Sequence, residues 1–409
     1  MPTRISLEAS VELIARHGRG GRVLLPGGAM EATALSAAFD QRPELAAGLT
    51  FTGLWVPGVN RFDWAALHPD ARAELCIPSA DWQASLGDGR TRLFPLHYST
   101  FAGRLQAVRP EVQVLHLSRP GPDGLCTLGF SGDLPADIGA IRIGLVNAAI
   151  PAVTGAPRVD LADLDAICHI DAAPVTVEPG AGGPASLVRR VADLVPDGAT
   201  IQIGIGRLPG AILSALAGKR ELNIHSGLVG AELATLIDAG ALAADGVIRT
   251  GLVVGTADFL ARMAQETRLQ LAPVTQTHGQ ATLAATPRLR AINAALEADL
   301  SGQINCEYAG ARRIAGIGGA VDFLRGARAA PDGLAITMIQ AEGKGGVSRI
   351  VPRLDTPTIS IGRADSDVIV TEFGTAHLRH VAEPDRPPLM TDLAPPLARP
   401  SLLSASCLP

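Results

Sequence analysis

The feature that most restricts the fold of this chain is an internal duplication. The first half contains GRVLLPGGAMEATALSAAF (21–39) and then LTFTGLWVPG (49–58), and the second half contains ATIQIGIGRLPGAILSAL (199–216) and then LNIHSGLVGAEL (222–233). Each copy has, in the same order, an aliphatic strand, a glycine-containing turn, an Ala/Leu-periodic helix and a second strand. The copies are about 175 residues apart, which is too far for a solenoid repeat. The sequence therefore predicts two duplicated α/β lobes.

The alternation of strands and helices predicts a mainly parallel sheet with helices on both faces in each lobe, which is a doubly wound architecture. VQVLHLSRPG (112–121) and LAITMIQAEG (334–343) are predicted to be further core strands because each has a short apolar run bounded by turn residues. The predicted domains are an N-terminal lobe (1–172), a Pro/Gly-rich linker (173–186), a C-terminal lobe (187–386) and a loosely packed or extended proline-rich tail (387–409).

Composition excludes several classes of protein. Hydrophobic residues make up 47% of the chain and charged residues 18%, and the net charge of −5 is not segregated, so neither disorder nor a nucleic-acid or anionic-membrane partner is favoured. No run has the length of a membrane span, and the N-terminus lacks the apolar stretch of a signal peptide. The five cysteines are scattered without a CxxC pair, which favours reduced thiols in the cytoplasm and no metal site.

Two glycine-rich turns are candidates for ligand binding. Gly204 and Gly206 follow a predicted strand in IQIGIGRLPG, where backbone N–H groups at a helix start are able to bind a phosphate or carboxylate oxygen. The alternative is that these glycines only permit a tight turn. Gly316, Gly318 and Gly319 in GIGGAVDFLRGA form a denser turn that lets a bulky ligand pass against bare backbone. Neither turn matches a dinucleotide or P-loop fingerprint.

The segment NIHSGLVGAEL (223–233) predicts a strand that ends at a His-Ser pair and turns into a helix. In an α/β protein the ends of strands commonly carry the chemistry. Here the residue predicted at the turn is Gly227, which has no side chain. A functional role for this strand end must therefore come from something other than residue 227.

Several blocks of the sequence resemble the acetyl-CoA hydrolase/4-hydroxybutyrate CoA-transferase family. They occur in the family's order and span about residues 10 to 382. The blocks are SRPGPDGLCTLGFSGD (118–133), IQIGIGRLPGAIL (201–213), NIHSGLVG (223–230), INAALEADLSGQINCEYAGARRIAGIGGAVDFLRGA (292–327) and SDVIVTEFGTAHLR (366–379).

The resemblance implies a class I CoA-transferase architecture of two similar α/β lobes. It also implies a chemistry in which a glutamate attacks an acyl-CoA thioester, forming an acyl–glutamyl anhydride and then a glutamyl–CoA thioester. Backbone N–H groups of glycine turns then stabilise the oxyanion. CoA, as acyl-CoA, is the implied substrate, with a small carboxylate as a second substrate of a transferase. A homo-oligomer is left open.

This chain departs from the family at two aligned positions. In the family the nucleophilic glutamate follows the His-Ser or similar pair, and that position here is Gly227. A family Asn shortly after a Pro-Val pair falls in PVTQTHGQ (273–280) at His278. We therefore expect that His278 acts as a general base on water, with a pKa near neutrality, and that the vacated carboxylate position houses the water.

Two acids are alternatives to a missing nucleophile. Glu232 is either a displaced nucleophile or a favourable partner for a helix dipole. Glu372, in VTEFGTAHLR, matches a family glutamate near the CoA site, where a polar supporting role is favoured over nucleophilic attack. Glu297 and Asp299 are expected to be structural.

The sequence therefore predicts an enzyme that acts on an acyl-CoA by water attack, as a hydrolase does. A carboxylate-accepting CoA-transferase that uses a substitute acid is one alternative. A catalytically inactive CoA-binding or partner protein is the other. Gly204, Gly206, Gly227, Gly316, Gly318 and Gly319 are the residues expected to approach CoA.

Overall fold

A computed structural model describes residues 2–406 of the chain. By internal contacts the chain divides into two compact units, of which unit 1 is Met1–Glu178 with Arg249–Thr277 and unit 2 is Pro179–Ile248 with His278–Pro409. The first crossing between the units falls within the predicted linker. The sequence prediction places residues 249–277 in the C-terminal lobe. In the structure they make their contacts with unit 1.

The strands are numbered along the chain: β1 Thr3–Arg4, β2 Arg22–Leu24, β3 Thr50–Thr52, β4 Arg72–Leu75, β5 Thr91–Leu93, β6 Val112–Leu117, β7 Cys126–Thr127, β8 Ile141–Asn147, β9 Arg158–Val159, β10 Ala166–Ile170, β11 Thr200–Ile203, β12 Asn223–Val229, β13 Ile248–Val253, β14 Leu269–Leu271, β15 Leu289–Ala294, β16 Glu297–Asp299, β17 Ile304–Asn305, β18 Tyr308–Ala309, β19 Arg312–Arg313, β20 Leu334–Met338, β21 Ile350–Val351, β22 Val368–Val370 and β23 Thr375–His377.

The helices are numbered in the same way: α1 Leu7–Gly18, α2 Thr33–Gln41, α3 Gln83–Gly87, α4 Tyr98–Val108, α5 Ala185–Asp193, α6 Arg207–Ala215, α7 Ala234–Asp238, α8 Ala257–Gln265, α9 Val274–Thr277, α10 Gln280–Ala284, α11 Ala320–Ala329, α12 Arg386–Thr391 and α13 Arg399–Ser406. Short 3₁₀ turns join several of these elements. Helix α1 is capped by Ser6, whose side chain accepts a hydrogen bond from the N–H of Ala9.

The sheet of unit 1 has the strand order β1-β10-β8-β6-β2-β3-β4-β5, and all of its neighbouring strands are parallel. Strand β6 is buried along its whole length, as expected for a central parallel strand covered on both faces. An aromatic cluster of Phe39, Phe51 and Trp64 lies in the core on one side of this sheet. These contacts confirm the α/β lobe predicted for the first copy of the duplication.

Unit 2 repeats this topology. Its strands run in the order β12-β11-β15-β20-β22-β23, parallel except for the antiparallel pair β22–β23. In each unit the first strand of the duplicated segment (β2 or β11) pairs with the second (β3 or β12) on one side. A later strand (β6 or β15) pairs with it on the other side. The duplication in the sequence is therefore a duplication of sheet topology.

The segment predicted as a loosely packed tail is helical and packed where the structure describes it. Met390, Leu393 and Leu402 are buried in the core of unit 2, and α12 and α13 span much of this segment. Proline lies at the first turn of α12, where its missing N–H and fixed φ are compatible with a helix. Proline content therefore does not indicate an extended chain here.

No helix among residues 2–406 is long and apolar enough to cross a membrane. The same residues contain no group of three or more His, Cys, Asp or Glu side chains placed to hold a metal ion. Cys76, Cys126 and Cys168 are buried and Cys306 is half-buried, and Cys407 lies outside the described residues.

Candidate active site

Strand β12 carries the position at which the family's glutamate is expected. The strand does not end at the His-Ser pair, as the sequence analysis predicted, but continues through Gly227 to Val229. Gly227 is not among the residues with positive φ, so it is an ordinary strand residue. The hydroxyl of Ser226 donates to the carbonyl oxygen of Ile203 at 2.9 Å, which holds β12 to β11 beyond their last paired residues.

The side chain of His278 fills the space that a side chain on Gly227 would need. A Cβ built on Gly227 would lie 2.8 Å from Cε1 and 2.9 Å from Nε2 of His278. A Cβ on Gly319 would lie 2.5 Å from Nε2 of the same ring and 2.6 Å from its Cδ2. Real Cβ atoms do not approach other heavy atoms so closely, since carbon contacts are optimal at about 3.5 to 4.0 Å. The imidazole therefore packs against two glycine backbones.

Two more rings enclose this arrangement. The ring of Phe323 lies 4.6 Å from that of His278, centroid to centroid, and 6.5 Å from that of His225. Both histidines are buried, with 4% and 3% of their surfaces exposed, respectively. The sequence analysis missed Phe323, and its only sequence signal is that it lies four residues after Gly319 on α11.

Burial lowers the pKa of His278 to about 3, and the neighbouring His225 contributes in the same direction. The expectation of a pKa near neutrality is therefore wrong. A base with so low a pKa is neutral at physiological pH and takes a proton from water poorly. The structure therefore disfavours a proton-accepting role for His278.

The glycine turn at residues 316–319 leads into α11, a helix of 10 residues. Gly318 has a φ of +55°, a conformation in which a side chain is strained. Gly319 is the N-cap of α11. The structure thus brings together three predicted site residues, Gly227, His278 and Gly319, at the start of α11. The first N–H groups of a helix have no hydrogen-bond acceptor within the helix itself.

Glu232 lies in the 3₁₀ turn Ala231–Leu233 and not in a long helix. Its Oε1 accepts hydrogen bonds from the N–H groups of Gly180 at 3.2 Å and Gly206 at 3.4 Å. Gly206 is the N-cap of α6. The glycine turn was predicted to bind an anionic group of a ligand. In the structure the carboxylate of Glu232, a residue of the same chain, is bound there instead.

The glycines of that turn differ in what surrounds them. A Cβ on Gly204 or on Gly206 would meet no heavy atom within 4 Å, and Gly206 has a φ of +111°. Gly206 thus has a backbone conformation that favours glycine, which agrees with the alternative that the glycines of this turn only permit a tight turn. Gly204 is required neither by conformation nor by crowding, and it borders open space at the end of β11.

Glu372 follows β22, and its two carboxylate oxygens accept separate backbone hydrogen bonds. Oε2 accepts from the N–H of Ala341 at 2.8 Å and Oε1 from the N–H of Glu342 at 3.0 Å. Asp299 likewise binds backbone and side-chain donors of its own turn, including Ser301 and Gln303. Through these hydrogen bonds Glu372 and Asp299 stabilise the loops around them.

Unit 1 contains buried acids that sequence reasoning missed. Burial raises the pKa of Glu31 to about 7 and that of Asp133 to about 6. Asp133 accepts hydrogen bonds from the hydroxyls of Tyr98 at 2.9 Å and Ser131 at 3.0 Å. Its only sequence signal was its place at the end of the family-like segment SRPGPDGLCTLGFSGD.

Two α/β units with the same parallel topology, each with glycine turns at the ends of its strands, define a fold of the CoA-transferase type. The comparisons with known proteins agree. Residues 255–406 match the family model for the acetyl-CoA hydrolase/transferase C-terminal domain. The 4-hydroxybutyrate coenzyme A transferase of Clostridium kluyveri is 27% identical over 415 residues, covering 98% of this chain and 96% of that protein.

Solved structures with the same fold include a 4-hydroxybutyrate CoA-transferase from Porphyromonas gingivalis and RipA from Yersinia pestis. The first has a TM-score of 0.78 and 25% identity and covers 98% of this chain and 96% of its own. The second has a TM-score of 0.89 and 24% identity and covers 99% and 97%. Residues 255–406 therefore carry an acetyl-CoA hydrolase/transferase C-terminal domain, and nearly the whole chain is similar to a CoA-transferase, an enzyme that acts on acyl-CoA.

Proposed function

We propose that this chain cleaves an acyl-CoA thioester by direct attack of water, without a glutamyl intermediate. The observation that carries the proposal is the position of the His278 imidazole, which occupies the side-chain space of Gly227. A carboxylate on β12, from which the family's covalent route starts, has no room there while the imidazole is in place.

The two acids that remain as substitute nucleophiles support the same conclusion. Glu232 accepts two backbone hydrogen bonds through Oε1, and each oxygen of Glu372 accepts one. Attack on a thioester would require either carboxylate to give up these bonds, which stabilise it as a bound anion and make it a poorer nucleophile.

In the proposed reaction, water adds to the thioester carbonyl and gives a tetrahedral oxyanion, which collapses to a carboxylate and expels the CoA thiolate. The water loses one proton to solvent as it adds, and the carboxylic acid formed when the C–S bond breaks loses the second, which the CoA thiolate takes up to give the thiol. The backbone N–H groups at Gly318 and Gly319 serve as donors to the oxyanion, where hydrogen bonding stabilises developing charge. His278 is not the base.

The filled space and the lowered pKa of His278 also favour a second candidate, a protein that binds CoA esters without turning them over. Both features remove the means by which water or a carboxylate is activated. The two candidates make opposite predictions for a single assay of CoA release.

The test is thiol release across a panel of acyl-CoA esters, with and without acetate as acceptor. Direct hydrolysis predicts free CoA in the absence of acetate and no acetyl-CoA in its presence. Formation of acetyl-CoA refutes the proposal in favour of a transferase, and binding without release establishes the second candidate.

Isotope labelling tests the route itself. In single turnovers in ¹⁸O-water, direct attack places the label in the carboxylate product and leaves the protein unlabelled. Hydrolysis of a glutamyl–CoA thioester would instead place the label in an enzyme carboxylate, and mass spectrometry of peptides containing Glu232 and Glu372 detects it. Wild-type protein incubated without acyl-CoA is the control for background exchange.

A further inference from the structure

The carboxyl ends of β11 and β15 lie where the strand order of unit 2 reverses. From β11 the chain continues to β12 on one side and later returns to β15 and β20 on the other. In open parallel sheets, ligands bind outside the carboxyl ends of the strands at such a reversal. The side chains at these two strand ends are therefore candidates for contact with a ligand.

Gln202 on β11 and Asn293 on β15 form a pair of carboxamides at this reversal. Nδ2 of Asn293 donates to Oε1 of Gln202 at 3.0 Å, and Nε2 of Gln202 donates to Oδ1 of Asn293 at 3.4 Å. Gln202 is only 5% exposed. Each carboxamide has two N–H donors and an oxygen with two lone pairs. The pairing uses one donor and one lone pair of each side chain, so the pair has further donors and acceptors to offer a bound group.

Strands β11 and β12 stay side by side beyond their last paired residues. The ladder ends at Ile201 and Ile224, and the hydroxyl of Ser226 then donates to the carbonyl oxygen of Ile203. The two partners are 23 residues apart in this hydrogen bond, as they are in the ladder. The register of the two strands therefore continues past the ladder.

The carboxamide pair and the candidate active site share one face of the sheet. In this register Gln202 lies beside His225, and Gly204 lies beside Gly227. Residues two apart on a strand point to the same face. Phe323 is on that face, since its ring lies 6.5 Å from that of His225 and its Cε2 lies 3.6 Å from a Cβ built on Gly227.

Gly204 and Gly227 differ in what fills the space above them. The imidazole of His278 takes up the side-chain space of Gly227, so the expectation that this position houses the water is wrong. A Cβ on Gly204 would meet no heavy atom within 4 Å, and its φ is not positive. Gly204 therefore leaves room for a small group on the strand next to Gly227.

We infer that the attacking water of the proposed reaction binds at Gly204, held by the carboxamides of Gln202 and Asn293. The inference rests on the proposed function, which leaves the position of the water open. Water both donates and accepts hydrogen bonds, so it matches a pair that offers N–H groups and lone pairs together. A thioester carbonyl only accepts, and an alkyl chain does neither.

The carboxamides orient the water and take no proton from it. The water oxygen forms its bond to the thioester carbon, and the proton passes to solvent, as in the proposed reaction. Holding a nucleophile in the geometry of attack lowers the barrier through the entropy of its immobilisation. The site therefore acts on the rate of the chemical step and not on the binding of the acyl-CoA.

The test is the steady-state hydrolysis of an acyl-CoA, measured by thiol release. Gly204→Ala places a methyl group in the space for the water, so kcat should fall on the order of a hundredfold while KM is unchanged. Gly218→Ala is the matched control in the same unit. Gly218 is exposed, a Cβ there also meets no heavy atom within 4 Å, and its φ is not positive. Its kcat and KM should equal those of wild type.

Two further variants test the carboxamides. Gln202→Met and Asn293→Leu keep nearly the same size and remove the polar groups, and each should lower kcat about tenfold with KM unchanged. Hydrogen exchange of peptides from β11 and β15 shows whether each variant is folded. If either fails to fold, Gly204→Ala still decides the location of the water, because its methyl group meets no neighbour.

The outcomes separate this inference from the proposed function. A wild-type kcat in Gly204→Ala refutes the water site, and so does a raised KM with unchanged kcat, which would place the acyl-CoA there instead. Unchanged kcat in both folded carboxamide variants refutes the role of the pair. If wild type itself releases no CoA, or forms acetyl-CoA from acetate, the proposed function fails and the water site fails with it.

Discussion

The contact between His278 and Gly227 predicts a specific energetic coupling. In Gly227→Ala the new methyl group would lie 2.8 Å from Cε1 and 2.9 Å from Nε2 of the imidazole, so the ring must move by about 0.7 Å to reach an ordinary contact. Gly319 and Phe323 pack on the same ring and limit where it can move. We expect a loss of about 1 to 3 kcal/mol, which is typical of overpacking.

The same change is expected to be harmless once the ring is gone. His278→Ala alone is expected to cost about 2 to 4 kcal/mol because it leaves a void in a buried position. In the double variant the methyl group introduced by Gly227→Ala occupies part of that void. The two changes should therefore be coupled by about 1 to 3 kcal/mol, with the double variant more stable than the sum predicts.

The assay must follow unit 2 separately from unit 1. The protein has three tryptophans, Trp55, Trp64 and Trp82, and all of them lie in unit 1. Their fluorescence in a urea titration is therefore the internal reference, and hydrogen exchange of peptides from β12 reports unit 2. Tryptophan transitions should be the same in all four proteins of the cycle.

Gly204→Ala is the matched control for the cycle. Gly204 is half-buried like Gly227 and lies just after the neighbouring strand β11, but a Cβ there meets no heavy atom within 4 Å. Its cost should be small and should add to that of His278→Ala. The reasoning is refuted if Gly227→Ala costs the same in the presence and absence of His278, or costs no more than Gly204→Ala.

Three further results follow from the same geometry. Because the pKa of His278 is about 3 in the folded state and about 6.5 when unfolded, the unfolded chain binds the extra proton. This difference has no effect above pH 6.5 and lowers the stability of the folded state as pH falls from 6.5 toward 3, by on the order of 5 kcal/mol at the acid end. Urea titrations followed in unit 2 should therefore show a smaller acid loss for His278→Asn than for wild type. The pH profile of kcat should be the same near pH 6.5 in wild type and in His278→Asn. A step near 6.5 in wild type that is absent in His278→Asn would identify this residue as a base. Glu232→Ala should destabilise unit 2 by about 1 to 3 kcal/mol, measured by hydrogen exchange at Gly180 and Gly206, whose N–H groups lose their acceptor.

The repeated topology was predictable from the sequence because it is encoded locally, twice, by a strand, a glycine turn and a periodic helix. Where the chain changes unit was less predictable. Residues 249–277 have the same strand–helix pattern as their surroundings, so only long-range contacts assign them to unit 1. A high proline content predicts an extended tail, but proline at a first turn is compatible with a helix, so the sequence does not predict the C-terminal helices.

The environment of each candidate site residue is set by contacts between residues that are distant in the sequence, and a sequence does not show these contacts. The family resemblance predicts that Gly227 and His278 are altered positions, but a sequence does not show that the side chain of His278 fills the space next to Gly227. The low pKa of His278 has burial as its main cause, and burial is a property of the fold. In the same way, the partners of Glu232 come from two distant glycines, Gly180 and Gly206.

Restoring a carboxylate to β12 tests whether the rest of the family's machinery is present. Gly227→Glu alone is expected to be poorly folded and inactive as a transferase because its Cβ collides with the imidazole. His278→Asn shortens the opposing side chain, and the φ of Gly227 is not positive, so the backbone at this position accepts a side chain. The double variant Gly227→Glu/His278→Asn therefore places a nucleophile beside the glycine turn at Gly318 and Gly319.

We expect this double variant to transfer CoA from an acyl-CoA to acetate, with a gain of several orders of magnitude over wild type if the carboxylate and the oxyanion donors are correctly aligned. Gly227→Gln/His278→Asn is the matched control, since the amide has nearly the same size and no nucleophilic oxygen. Mass spectrometry should detect a CoA thioester on residue 227 in the first double variant and not in the second. If both double variants are equally inactive while Gly227→Glu/His278→Asn is folded by hydrogen exchange, then the donors at the start of α11 are not aligned with β12. If wild type already transfers CoA as well as the double variant does, the nucleophile of this protein lies elsewhere and Gly227 is not its vacated position.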